Sequence, residues 1–308
     1  MASRAGARIV NAEYIQFHPT ALAVPGAEGF LISEALRGEG GILLDPEGRR
    51  PFMEEYSPER KDLAARDIVA RAIHAQMEMR GSSYVLLDIA SHMSAEAIRA
   101  RFPNIYAECM RVGLDVTREP IPVVPAAHYS CGGVAVDLNG RSSIANLFAV
   151  GEASCTGLHG ANRLASTSLL EGLVWGFRAA RTIAETLDAT PPIVPGREDV
   201  PPWDESGLTD DSDHALIQGD MQTIQNIMWH YVGLIRSGDR LVRAIRELRH
   251  LQNEIETFYQ RTKLSDGLIG LRNAVEVSLL IAQAAYHNRQ SRGCHFRVDA
   301  VEAGDRLL

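Results

Sequence analysis

Two histidines and two arginines, each set among small or acidic residues, are the side chains in this sequence that could hold an anion. Gln16-Phe17-His18-Pro19-Thr20 puts an imidazole directly before a proline. That pair disfavours helix and keeps the chain extended, so His18 is expected on a turn or a strand end. Pro125 to Gly133 sets His128 before a double glycine and a strand. A lone histidine in either place is ordinarily a structural hydrogen-bonding residue. Arg66 follows the mixed run Glu59-Arg60-Lys61-Asp62, a pattern that reads as a solvated face. Leu63, Ile68 and Val69 around it place its guanidinium along the edge of an apolar stripe. A partly buried arginine needs an acidic partner or an anionic ligand.

Further chemistry is carried by small-residue segments. Leu31-Ile32-Ser33-Glu34 followed by Arg37-Gly38-Glu39-Gly40-Gly41 joins a hydroxyl, charges and glycines whose backbone N–H groups can approach a ligand closely. The glycine spacing is not a G-x-G-x-x-G fingerprint, and a hairpin turn beside Ile42-Leu43-Leu44-Asp45 is the plain alternative. Leu147-Phe148-Ala149-Val150-Gly151-Glu152 reads as a buried strand ending in a carboxylate, the kind of strand end at which open α/β sheets bind ligands. Glu152 is then suited to accept from a ribose or ribityl hydroxyl. Arg163 closes the loop Gly157-Leu158-His159-Gly160-Ala161-Asn162, and Ser166-Thr167-Ser168 supplies N-cap hydroxyls to a helix whose free N–H groups favour negative charge.

The elements that must position these groups are legible from periodicity. Helices are expected from about Pro58 to Met79, with Leu63, Ile68, Val69, Ala72 and Ile73 inward, and from Ser168 to Leu187, with Leu169, Leu170, Leu173, Phe177 and Ala180 inward. Short β-like runs are Tyr84–Leu87, Val134–Val136 and Leu147–Val150. The proline-rich run PPIVPGREDVPP, 191–202, predicts an extended linker. Beyond it, Leu241, Ile245, Leu248, Leu251, Ile255 and Phe258 share one helical face, and Met221–Arg236 and Leu268–Asn288 repeat the spacing, which predicts a three-helix bundle.

Composition bounds the rest. In 308 residues, 31 Lys and Arg stand against 39 Asp and Glu, a net charge of −8 that offers no basic footprint for nucleic acid. The 45% hydrophobic content is ample for one or two cores. No uninterrupted apolar run approaches the roughly 20 residues that span a bilayer, so no membrane is expected. Cys109, Cys131, Cys155 and Cys294 lie far apart without a C-x-x-C pair, which speaks against a disulfide framework or metal site and for a reducing cytoplasm.

Taken in order, Gln16–Thr20, Ser33-Glu34 with Arg37–Gly41, Arg66-Asp67, His128 with Gly132-Gly133, and Gly151-Glu152 through Gly160-Ala161-Asn162-Arg163 to Ser168–Gly172 resemble the succinate dehydrogenase, fumarate reductase and L-aspartate oxidase flavoproteins. Within that family, Met228–Ser237, Leu271-Arg272-Asn273 and Ser291–Phe296 look like the L-aspartate oxidase branch. The resemblance implies an α/β plus α fold: a partial FAD-binding domain (1–11 and, with the linker, 130–199), an inserted α+β capping domain (12–129) and a C-terminal helical domain (200–308). Members of the family begin with a Gly-rich dinucleotide fingerprint; the opening MASRAGARIV resembles a later, internal segment, so the fingerprint segment is expected to be missing.

The resemblance also implies roles. His18, His128 and Arg163 would hold the carboxylates of a dicarboxylate, L-aspartate or fumarate, with Leu31, Ser33 and Glu34 lining the pocket. Arg66 would be the proton donor or acceptor; Glu152, Ser168 and Leu169 would lie against FAD. The implied reaction is oxidation of L-aspartate to iminoaspartate with oxygen or fumarate as acceptor, feeding NAD biosynthesis and coupled to quinolinate synthase. Two alternatives stand beside it: a succinate dehydrogenase or fumarate reductase flavoprotein fragment that works with an iron–sulfur partner, and a silent remnant that binds no FAD. Turnover of aspartate against succinate separates the first, and a visible flavin spectrum the second.

Overall fold

The computed structural model describes residues 1–27, 29–189, 201–202, 204–209 and 213–300; the linker expected over 191–202 lies, except for its last two prolines, outside them. Its contacts divide the chain into two compact units, Ile15–Tyr129 and Met1–Tyr14 with Ser130–Glu302. Strand β1 (Ile9–Val10) belongs to the discontinuous unit. The continuous unit then runs β2 (Ile15–Leu22), α1 (Glu34–Gly38), β3 (Ile42–Leu44), α2 (Met53–Tyr56), a 3-10 turn at Lys61–Leu63, α3 (Arg66–Arg80), β4 (Val85–Asp88), α4 (Ala95–Arg101), α5 (Pro103–Arg111) and β5 (Ile121–Ser130). The discontinuous unit resumes with β6 (Gly133–Ala135), a 3-10 turn at Gly151–Ala153, β7 (Ser154–Cys155), α6 (Thr167–Ala189), α7 (His214–Val232), α8 (Gly238–Tyr259) and α9 (Asp266–His287).

In the continuous unit four strands form one sheet in the order β2-β5-β4-β3. Leu43 pairs with Leu87 and Val85 with Val123 across antiparallel ladders. β2 is the edge strand, which explains how Pro19 is tolerated inside it: a missing N–H costs least where no neighbour needs it. His18 therefore lies in mid-strand rather than on a turn or strand end. Helix α3 buries Val69, Ala72, Ile73 and Met77, at steps of three and four, in a core with Leu43, Leu87 and Ile121.

The helix expected from Pro58 begins only at Arg66. Asp62 is what interrupts it. Its carboxylate accepts from Leu43 N at 2.8 Å and its carbonyl accepts from Arg37 Nη1, so that carbonyl is engaged by a side chain ahead of the helix. Leu63, expected inward, is 58% exposed in consequence.

In the discontinuous unit β1, β6 and β7 form a small sheet, with β6 antiparallel to β1 and parallel to β7. Leu147–Val150 is not the buried strand its composition suggests. Phe148 makes an isolated bridge to Arg141, and the four residues are half-buried or exposed. No second ladder is available to extend it among the described residues, and apolar composition without a partner strand does not make a strand.

Helices α7, α8 and α9 form the bundle that the spacing predicts. Ile217, Ile224, Ile227, Leu241, Leu248, Ile255, Leu268, Leu271 and Val275 make its core, and Ser237 and Ser265 cap α8 and α9 with their hydroxyls. α9 is long and apolar enough to cross a bilayer, yet its Leu268, Leu271, Val275, Ala282 and Ala285 are buried in this bundle. α7 ends at Val232, before the expected Arg236. At Gly233 a side chain would place Cβ 2.3 Å from the Trp229 carbonyl, and Arg236 Nε instead closes the helix by donating to the Val232 and Gly233 carbonyls at 2.9 and 3.0 Å.

Helix α6 departs most from expectation. Leu169, Leu170, Leu173 and Phe177 are 80, 63, 70 and 70% exposed, and Ala180 is exposed too. Its buried side chains are Glu171, Ala179 and Thr182. The apolar stripe is present as predicted from its period; among the described residues nothing covers it.

Candidate functional site

The edge strand β2 points alternate side chains to one face, which puts Gln16, His18 and Thr20 in register. His128 comes from the neighbouring strand β5. The two imidazoles meet edge to face with ring centres 5.3 Å apart. His18 is 3% exposed and its Nδ1 accepts from Thr20 N at 3.3 Å, so the ring proton sits on Nε2 in the neutral tautomer. Burial, then the charge of Arg66 and the neighbouring His128 and Arg37, lower the His18 pKa to about 3. A neutral donor is thus held where positive charge has accumulated.

Arg66 stands at the first position of α3, where its backbone N–H needs no helical acceptor. Its Nε donates to Glu34 Oε2 at 2.8 Å and its Nη1 to Gln16 Oε1 at 3.2 Å. Glu34 opens α1, whose N-cap is Ser33: the Ser33 hydroxyl accepts from Ala35 N at 3.2 Å. Leu31, half-buried, is bridged to Ala21 at the end of β2. His18, His128, Arg66 and Glu34 are therefore one cluster within the continuous unit.

Sequence reasoning missed two members. Gln16 shares Arg66 with Glu34. Arg37, one turn after Glu34, is 2% exposed, and its Nε and Nη2 have no hydrogen-bond partner among the described residues. Burial presses the Arg37 pKa down, while Glu34 and Asp62 oppose the shift. The signal was a lone arginine in a glycine-rich turn, which carries no mark of burial.

Arg163, Glu152, Ser168 and Leu169 belong to the discontinuous unit. Arg163 is 6% exposed and its Nη1 donates to Ser168 Oγ at 3.2 Å, so that hydroxyl is engaged by the guanidinium rather than capping α6. Thr167 Oγ1 donates to the Leu164 carbonyl at 2.7 Å. Behind this loop His159 Nε2 and Glu171 Oε2 form a buried hydrogen bond, 2.7 Å apart. Glu152 is exposed and one of its oxygens accepts from Ser130 N at 3.0 Å.

Residues 1–169 match the FAD binding domain family, and residues 221–307 match the fumarate reductase flavoprotein C-terminal family. All of the chain aligns with L-aspartate oxidase 1 of Ralstonia nicotianae at 50% identity and with L-aspartate oxidase of Pseudomonas aeruginosa at 49%, covering 56% and 57% of those proteins. The E. coli quinol fumarate reductase subunit FrdA superposes with a TM-score of 0.79 at 30% identity, over 98% of this chain and 55% of that one. The chain belongs to the succinate dehydrogenase and fumarate reductase flavoprotein family. It spans about half the length of the curated relatives it matches.

The cofactor of this flavoprotein family is FAD, and the residues present fit it. Glu152 is an exposed carboxylate, a chemical type able to accept from a hydroxyl. Leu169, in the first turn of α6, is exposed, and the amino end of a helix favours negative charge. Gly132 and Gly133 allow β1 and the Gly151–Ala153 turn to close tightly: a Cβ on Gly132 would lie 2.1 Å from Asn11 O, and one on Gly133 2.6 Å from Ala153 O.

Proposed function

We propose that this chain carries the substrate-binding and proton-handling residues for FAD-dependent oxidation of L-aspartate to iminoaspartate. The observation that supports the reading best is the His18–His128–Arg66 cluster, a concentration of donors and positive charge with the Glu34 carboxylate aligned on Arg66. A four-carbon diacid carries two negative charges, and guanidinium and imidazole donors match its oxygens.

In this reading the neutral His18 donates from Nε2 to a substrate carboxylate oxygen, with His128 beside it. Arg163, in the discontinuous unit, binds a carboxylate as well, and Leu31, Ser33 and Glu34 line the binding region. Residues 12–129 form the substrate-binding segment, 130–199 the flavin-proximal segment and 200–308 a helical domain. Arg66 exchanges the proton; a guanidinium yields a proton only with help, and Glu34 on Nε and Gln16 on Nη1 orient it for that exchange. Oxidation at the α-carbon removes a hydride and a proton. Bound FAD would supply the hydride acceptor, with oxygen, reduced to hydrogen peroxide, or fumarate, reduced to succinate, as the final acceptor. Iminoaspartate then serves NAD biosynthesis through quinolinate synthase, in a reducing cytoplasm that suits four buried thiols.

Purified protein supplied with FAD tests this. The reading expects aspartate-dependent peroxide or succinate formation and no oxidation of succinate. Succinate turnover without aspartate turnover would favour a dehydrogenase flavoprotein, and a colourless protein that retains no flavin would favour a silent remnant.

A further inference from the structure

Two cavities open on the helix pair α8 and α9, and they differ in how their charges are balanced. The smaller, of about 150 Å³, has Arg4, Arg272, Glu256 and Glu276 in its wall, and each guanidinium there meets a carboxylate. Arg4 pairs with Glu276, and Arg272 donates to both oxygens of Glu256 at 2.7 and 3.0 Å. The larger, of about 580 Å³, lies between the amino-terminal part of α8 and the carboxyl end of α9. Arg246 and Arg249 line it from α8 and His287 from α9, and no carboxylate stands in its wall.

Arg246 and Arg249 are exposed and, among the described residues, have no hydrogen-bond or ion-pair partner. The other arginines of the two helices are all engaged: Arg240 by the Ile235 carbonyl, Arg243 by Glu247 and the Tyr231 ring, Arg272 by Glu256. In a chain of net charge −8, two neighbouring cations left unneutralised at one cavity form a local reversal of sign. The carboxyl end of a helix ordinarily repels an anion. Here Arg297 Nη1 donates to the Ala285, Tyr286 and Asn288 carbonyls at 3.3, 2.9 and 3.3 Å and so offsets the negative end of α9. The Asp299 carboxylate beside it is held in turn by Arg297 and by the Gly238 N–H at the start of α8.

The shape of the wall narrows the ligand. Residues three apart on a helix are neighbours, roughly 5–6 Å between Cβ atoms, so Arg246 and Arg249 can close on one doubly charged head. A monocarboxylate would occupy only one of them. Val242 and Ile245 supply an apolar wall, and the Tyr286 ring stands edge to face with His287, ring centres 5.6 Å apart. That surface suits a flat apolar body, and the volume falls in the range of roughly 300–1,000 Å³ common to small-molecule sites.

We propose that this cavity binds an organic phosphate, a phosphate monoester whose dianionic head lies on Arg246 and Arg249 and whose aromatic body lies on Val242, Ile245 and Tyr286. The His287 imidazole supplies a further donor to the head. The site is built wholly from the helical bundle, and it stands or falls apart from the proposed oxidation of aspartate.

Calorimetric titration of the full chain with 1-naphthyl phosphate, without FAD or aspartate, tests it. The expected result is one saturable site that weakens as sodium chloride is raised, and that inorganic phosphate and uncharged 1-naphthol each fill at least about tenfold more weakly. Replacing both cations, Arg246→Gln with Arg249→Gln, should weaken binding of 1-naphthyl phosphate at least about tenfold. Arg243→Gln, which removes an arginine already paired on the same helix, should leave it unchanged. Binding that does not saturate, that 1-naphthol or inorganic phosphate matches, or that survives the double substitution would overturn the proposal, as would an equal loss in Arg243→Gln. Should the double variant fail to fold by circular dichroism, Val242→Asp, which sets a carboxylate in the cavity wall at an exposed position, must show the same loss, and unchanged binding there overturns the proposal as well.

Discussion

Arg66 is the residue whose chemistry is most exposed to test, because Glu34 and Gln16 fix its guanidinium from two sides. General acid–base groups contribute about 10²–10⁴-fold, so Arg66→Gln should lower kcat for aspartate by a factor in that range while the flavin spectrum of the loaded protein is retained. His18 makes a different prediction. Its pKa falls from 6.5 to about 3 in the folded chain, so between those values the unfolded chain binds a proton that the folded chain refuses. Its contribution to stability is complete above about pH 6.5 and is lost as pH falls toward 3. His18→Gln, which cannot titrate, should give a shallower decline of Tm over that window; an unchanged decline would mean that His18 is not held neutral. The types and order of His18, Arg66, His128 and Arg163 were legible in the sequence. Gln16 and Arg37 were not, since each depends on partners brought close only by folding.

At the scale of elements, the bundle helices were legible because their apolar residues recur at three and four and serines stand before α8 and α9. Helix α6 shows the limit of that reasoning. Its period reveals an apolar stripe but not what the stripe faces, and in this chain Leu169, Leu173 and Phe177 face outward. Leu173→Lys should therefore change the unfolding free energy of this chain by about 0.5 kcal/mol or less. Leu248→Ala, in the closed core of the bundle, should cost about 2–5 kcal/mol. Chemical denaturation of both variants makes the comparison, and a large loss from Leu173→Lys would show that the stripe is covered in solution. Leu147–Val150 shows the converse limit: a β-like composition needs a neighbouring strand to pair with, which local sequence does not reveal.

For the whole molecule, the division at Tyr129–Ser130 falls within the continuous strand β5, where no change of composition marks it. Function is distributed accordingly: the proposed proton donor and both histidines lie in the continuous unit, and the proposed flavin contacts and Arg163 in the other. Function in both units depends on a dicarboxylate binding through the Arg66 and histidine cluster, as proposed above. The most direct measurement is calorimetric titration of the FAD-supplied protein with fumarate, comparing wild type with Arg66→Gln and His128→Ala. Wild type should show one saturable site, weakened at least about tenfold by either substitution, a loss of roughly 1.4 kcal/mol or more. Equal fumarate affinity in all three proteins would contradict it.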